Sequence, residues 1–166
     1  EFCDARGIRM VLVGGDDAWK LTDLIKGRRI PVIYFNAHGL PQRQDEPYDQ
    51  AFVVPRLLHD AGISLALALS GASGVRNLAF EAGQAVAFGL PEDVALKSIT
   101  LTPAEILGVA DRIGSLEVGK QATLIVSDGD IMDPLTMQVT HMFIDGRLVD
   151  LDDKHKELYR KYRAKH

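Results

Sequence analysis

Five histidines, His38, His59, His141, His155 and His166, are the side chains of this chain best suited to carry a proton or hold a metal near neutral pH. Their spacing forms neither H-x-H nor H-E-x-x-H, so no helix or strand presents two of them to one ion. His38 alone falls on a loop that follows an apolar strand, where contact with a substrate or proton transfer would be the chemistry. No acid is placed beside it by spacing, and the plain alternative is an exposed histidine in a polar loop. Asp16 and Asp17 could bind a cation, although two acids at the start of a helix also suit N-terminal capping. Cys3 is the single cysteine, which excludes an internal disulfide and a cysteine-based zinc site. Ser70 and Ser73 lie in a small-residue loop without a G-x-S-x-G elbow. Gly71 and Gly74 there invite phosphate binding at the helix start near Val75, but the Gly-Lys-Ser ending of a phosphate loop is missing.

Repeated strand-then-helix units position these residues. Arg9 to Val13 reads as a short strand, Gly14-Gly15-Asp16-Asp17 as a turn, and Ala18 to Lys26 as a helix. Ile30 to Phe35 is a second strand, apolar on both faces as a parallel strand should be, followed by a polar loop from Asn36 to Tyr48 and a helix around Val53 to Ala61. Gly62 opens ISLALAL, a third buried strand, and the loop from Ser70 to Gly74 leads to a helix from Val75 to Phe88. Pro91, Glu92 and Asp93 start one more helix with proline at its first position.

The segment LTPAEILGVADRIGSLEVGKQATLIVSDGDIMDPLTMQVTHMFIDGRLVD, Leu101 to Asp150, is the most specific part of the chain. Thr102 suits a helix cap, Pro103 the first helical position, Glu105 the reciprocal member of a capping box and Gly108 the helix stop. Gly114 and Gly119 bracket a tight corner. Ala122 to Val126 and Met142 to Ile144 read as strands, the second closed by an Asp145-Gly146 turn.

In that order the segment resembles the carboxyl-terminal end of the metal-dependent amidohydrolase family, the imidazolonepropionase and dihydroorotase-like enzymes. The family reads T-x-x-P-A-x-x-L-G, then G-S-L-x-x-G-K-x-A-D-L-x-V, then a strand ending in x-G-x-x-V. Thr100, Pro103, Ala104, Leu107, Gly108, Gly114, Ser115, Leu116, Gly119, Lys120, Ala122, Leu124, Val126, Gly146 and Val149 fit it, while Thr123 stands where the family has Asp. The motif is structural and identifies ancestry; chemistry must come from elsewhere.

The resemblance implies an α/β fold: the last three βα units of a (β/α)₈ TIM barrel over 1–110, short strands of a composite β-sandwich over 111–151, and a terminal helix over 152–166. A full barrel takes roughly 250 residues, so at 166 residues something is missing from the amino-terminal side, and a start at Glu1-Phe2 suits a truncated or processed chain.

Family enzymes hydrolyse amide-type bonds with one or two divalent metals at the carboxyl ends of the strands. Of the ligand positions, the resemblance implies that this chain retains two. The sixth-strand histidine, in a strand-His-Gly ending, corresponds to Gly14 in Leu12-Val13-Gly14-Gly15. The eighth-strand aspartate, after A-G-V-x-x-x-x-G-T, corresponds to Ser70 after Ala61-Gly62-Ile63. Glycine offers no ligand, and a neutral hydroxyl replaces poorly a carboxylate that binds metal and accepts a proton. The expectation is therefore that catalytic, cofactor-binding and metal residues are none in this chain, with zinc or another divalent metal and a small-molecule substrate belonging to complete relatives.

Composition bounds the partners. A net charge of −4 argues against nucleic acid. No apolar run reaches the roughly 18 residues of a membrane span. The DDKHKELYRKYRAKH tail runs from acidic to basic as a solvated helix should. Three parallel strands leave open edges, so the expected partner is another copy of the chain or a separate amino-terminal half.

Overall fold

A computed structural model describes residues 2–35 and 37–164. Two three-stranded sheets are present among them. The first is parallel, in the order β1 (Leu12–Val13), β2 (Val32–Phe35) and β3 (Leu65–Ala68). Between its strands run a 3₁₀ turn at Ala18–Leu21 with α1 (Thr22–Gly27), and then α2 (Gln50–Asp60). After β3 come α3 (Leu78–Ala87), α4 (Glu92–Ser98) and α5 (Leu101–Leu107). The second sheet is antiparallel, β4 (Leu124–Asp128), β5 (Gln138–Ile144) and β6 (Arg147–Leu148), and α6 (Lys154–Arg163) ends the described chain. No helix is long and apolar enough to cross a membrane among the described residues.

The core is built on one face of the parallel sheet. Val32 pairs with Leu65 and Tyr34 with Leu67. A period of two therefore puts these four on the same side, where Val54 and Leu58 of α2 and Ala82 and Ala85 of α3 cover them. On the other face Ile33 and Phe35 are only half-buried, so β2 is apolar on both sides as expected, yet fully covered on one. Phe52 and Phe88 tie α2 to α3, with ring centres 5.0 Å apart.

Tyr34 carries the one polar group on this buried face among the described residues, and its partner is supplied by a helix defect. Pro55 lies inside α2 and has no N–H to give the carbonyl four residues back, at Ala51. The Tyr34 hydroxyl donates to that carbonyl at 3.2 Å. Burial, with Asp16, Glu81 and Glu46 nearby, pushes the phenol well above its ordinary range, so it remains a donor. Tyr34→Phe is expected to cost about 1–2 kcal/mol in urea unfolding because the carbonyl loses its partner; an unchanged midpoint would show that water reaches Ala51 instead.

Several local expectations shift. Thr100, not Thr102, precedes α5, and its hydroxyl donates back to the Leu96 carbonyl at 2.7 Å; no side-chain cap forms, and Pro103 is the third helical residue. Pro91 likewise caps α4 rather than beginning it. Helix α5 thus starts two residues before the position its proline signals, and α4 one residue after. β4 lies two residues beyond the expected Ala122–Val126, and β5 starts at Gln138 rather than Met142. Gly108 ends α5 with φ 72°, and Val109 N–H donates to the Ala104 carbonyl at 2.8 Å. The Asp145-Gly146 turn has both residues at positive φ and closes β5 onto β6. Thr123, the departure from the family pattern, uses its hydroxyl to accept the Asp145 N–H at 3.1 Å.

The two sheets are joined through the loop after β4. Met132 inserts into the core, 4% exposed, and its carbonyl rests against Gly83 of α3 so closely that a Cβ at Gly83 would lie 2.2 Å from it.

Candidate functional site

The carboxyl ends of the parallel strands hold the residues singled out from the sequence. Gly14 follows β1 directly, its N–H bonded to the Ile33 carbonyl at 2.9 Å, and Ser70 lies two residues past β3. Gly14 has φ +91°, a conformation in which any side chain would be strained. The backbone here suits glycine and not a histidine ligand.

Asp17 does something other than cap. It precedes the 3₁₀ turn but makes no side-chain cap bond. Instead its two oxygens take the Arg43 guanidinium at 2.9 and 2.7 Å, with Lys20 at 2.8 Å. Arg43 and then Lys20 hold its carboxyl well below the usual carboxylate range. Glu46 takes Arg43 at 2.5 Å and also accepts the Gln42 and Arg43 backbone N–H groups. The cluster fastens the loop after β2 to the turn after β1. A cavity of about 20 Å³, room for about one water, lies among Asp16, Tyr34, Glu46 and Gln50.

His38 sits on that loop, and its surroundings correct the expectation that no acid partners it. Nδ1 lies 2.6 Å from Oε1 of Glu81 in the first turn of α3. The Glu81 side chain is 5% exposed and that of His38 45%. An N–H at Nδ1 donating to the carboxylate leaves Nε2 as the accessible nitrogen. The second Glu81 oxygen, Oε2, is buried without a hydrogen-bond partner among the described residues. His38 therefore supplies the one hydrogen bond this buried carboxyl makes among the described residues.

Glu81 was missed by spacing because His38 and Glu81 lie 43 residues apart. One signal was available: it is the single charged residue in LAFEAGQAVA, α3, on a face otherwise made of apolar and small side chains. His59 in α2, His141 in β5 and His155 in α6 are not brought to the site. His166, Lys165, Asn36 and Glu1 lie outside the described residues.

A groove of about 400 Å³ opens beside His38, between α3 and the loop after β4, and is lined by Phe80, Gln84, Glu92, Asp130, Met132 and Asp133 among others. No set of three or more His, Cys, Asp or Glu side chains could hold a metal ion among the described residues. The donor chemistry does not fit a hydrolytic metal either: Gly14 offers no atom, Ser70 a neutral hydroxyl, and the Glu81 oxygen that has a partner is spent on His38.

Comparison with known proteins converges on one family. The Amidohydrolase family model matches residues 17–149. Amidohydrolase tasK of Hapsidospora irregularis is 30% identical over 92 residues, which is 55% of this chain and 9% of that protein. Among solved structures, an amidohydrolase from Thermotoga maritima MSB8 superposes with a TM-score of 0.76 at 27% identity, covering 89% of this chain and 38% of that one. An adenosine deaminase from Xanthomonas campestris with bound zinc gives a TM-score of 0.56 at 24% identity over 98% of this chain and 44% of that one, a likeness of fold. The chain thus spans less than half the length of each of these relatives.

Proposed function

Because the chain belongs to the amidohydrolase family, we propose that it is the carboxyl-terminal portion of a hydrolase acting on C–N bonds, non-peptide or dipeptide-like, and is itself unable to activate water. In this reading β1 to β3 are the last three strands of a (β/α)₈ barrel, residues 1–110. Residues 111–151 are the returning strands of a composite sandwich and 152–166 a terminal helix. Zinc or a similar divalent metal and a small-molecule substrate belong to the complete protein.

One observation carries the reading: Gly14 and Ser70 stand at the carboxyl ends of β1 and β3, where the resemblance puts two of the family's metal ligands. Water attack on an amide needs a metal-bound hydroxide or a positioned base. Glycine provides neither, and the serine hydroxyl has no base assigned to it. Purified chain is expected to hold substoichiometric zinc and to show no turnover in an amidase, lactamase and dipeptidase screen. Stoichiometric zinc with turnover would overturn the claim of incompetence.

A second reading is a non-enzymatic module completed by another copy or by a separate amino-terminal chain. Exposed apolar side chains favour it: Val13 on edge strand β1 is 60% exposed, and Ile125, Val126, Ile144 and Leu148 of the antiparallel sheet all lie open to water. Surfaces of this kind mark contacts to be covered. Light scattering distinguishes the readings, since a persistent monomer argues against assembly through those strands.

A further inference from the structure

Helix α6 lies beyond the stretch matched by the family. It has 10 residues, and helices of that length are marginal in water unless an apolar face is packed. Yet α6 makes no extended contact with any other described element. Three of its bonds are local: Asp153 caps it by accepting the Lys156 N–H at 2.9 Å, Lys156 Nζ reaches the Leu151 carbonyl at 2.7 Å, and Arg160 pairs with Asp152. Its surface is that of a docking helix. Tyr159 and Tyr162, 62% and 55% exposed, lie one turn apart. Around them KHKELYRKYR carries five cations, Lys154, Lys156, Arg160, Lys161 and Arg163, against one anion, Glu157, in a chain of net charge −4.

The complementary surface is the groove of about 400 Å³ beside α3. Its lining includes the apolar Phe80, Met132 and Pro134 and the acidic Glu92, Asp130 and Asp133. Asp130 and Asp133 each accept a backbone N–H in their own loop, at 2.8 and 2.9 Å. None of the three acids has a cationic partner among the described residues. An aromatic helix edged with cations and a groove lined by apolar side chains and by acids without a cationic partner among the described residues are complementary in both respects.

We infer that α6 of one copy of this chain docks in the groove of a second copy, with a tyrosine ring against the half-buried Phe80 and the Lys161 and Arg163 cations against Glu92 and Asp130. Exchange in both directions closes a two-fold dimer. It also doubles the buried area, toward the roughly 1,200 Å² that stable interfaces need.

Sedimentation of the purified chain across a concentration series tests this. The expected result is a monomer–dimer equilibrium whose dissociation constant rises about tenfold or more between low and high salt, because exposed ion pairs are screened. K161E/R163E and, separately, E92Q/D130N, which removes groove charge while keeping the Asp130 acceptor, are each expected to weaken the dimer about tenfold or more. E92K combined with K161E/R163E in one chain is expected to recover much of the loss. Circular dichroism melts of each variant confirm that the monomer remains folded. A monomer at every concentration would overturn the inference, as would a dimer indifferent to these charges, which would place the interface elsewhere, at the strand edges for example. A monomer destabilised by K161E/R163E would also overturn it, by seating the helix on its own chain.

Discussion

Gly83→Ala is expected to destabilise the protein by about 2–3 kcal/mol. Two effects oppose each other. Alanine in a helix interior is favoured over glycine by about 1 kcal/mol. Against that, the new Cβ would lie 2.2 Å from the Met132 carbonyl oxygen and 3.1 Å from its carbonyl carbon, both backbone atoms that no rotamer change can move away. The loop after β4 must retreat from α3, and Met132, 4% exposed, leaves the core with it. Overpacking of this kind together with partial loss of a buried side chain outweighs the helix gain. Urea unfolding of Gly83→Ala beside Gly27→Ala, whose added Cβ meets nothing within 4 Å, separates the two effects. The control should be neutral or slightly stabilised. Equal midpoints for both variants would mean that the loop does not press on α3.

His38→Ala carries the second large effect, about 2 kcal/mol of stability. Among the described residues Glu81, with 5% of its side chain exposed, keeps a single hydrogen bond at 2.6 Å, and Oε2 already lacks a partner. Removing the imidazole leaves a buried carboxyl with none, and the penalty is that of an unsatisfied polar group. Half-exposure of His38 lets water repair part of the damage, which holds the figure below the roughly 3–5 kcal/mol of a fully buried pair. His38→Gln retains an amide donor and should recover about half. Replacing both partners, His38→Ala with Glu81→Leu, should be less harmful than His38→Ala alone, since an apolar side chain needs no bond. If the double variant is worse by the sum of the two singles, the pair is uncoupled and the contact contributes nothing.

The two effects arise at the same place in the fold, where α3 meets chain that follows other strands. Its first turn receives His38 from the loop after β2, and its middle receives Met132 from the loop after β4. This helix therefore joins the parallel sheet, the antiparallel sheet and the candidate site.

Much of the architecture was legible along the chain. The alternation of apolar strands with helical segments placed β1, β2 and β3 and the helices after them, because hydrophobic periodicity and glycine punctuation are properties of neighbouring residues. Gly108 and Asp145-Gly146 were readable for the same reason: a positive φ is demanded by the turn itself. Helix starts at Thr100 and Pro91 were misplaced by a residue or more, since a cap is decided by where the preceding turn happens to end. The family motif from Thr100 to Val149 disclosed the family, and Gly14 and Ser70 carry the proposal that two of its metal ligands are lost.

What tertiary structure alone decided were the pairings across distance. Asp17 beside the start of a helix reads as a cap, and only folding brings Arg43 close enough to claim both its oxygens. His38 reads as an isolated loop residue until α3 packs beside it and offers Glu81. Local sequence fixes backbone conformation because the forces involved reach one turn or one strand pair. Which acid meets which base depends on how those elements pack, and that is settled by the burial of Val32, Tyr34, Leu58 and Leu67 in a core that no short stretch of the chain contains.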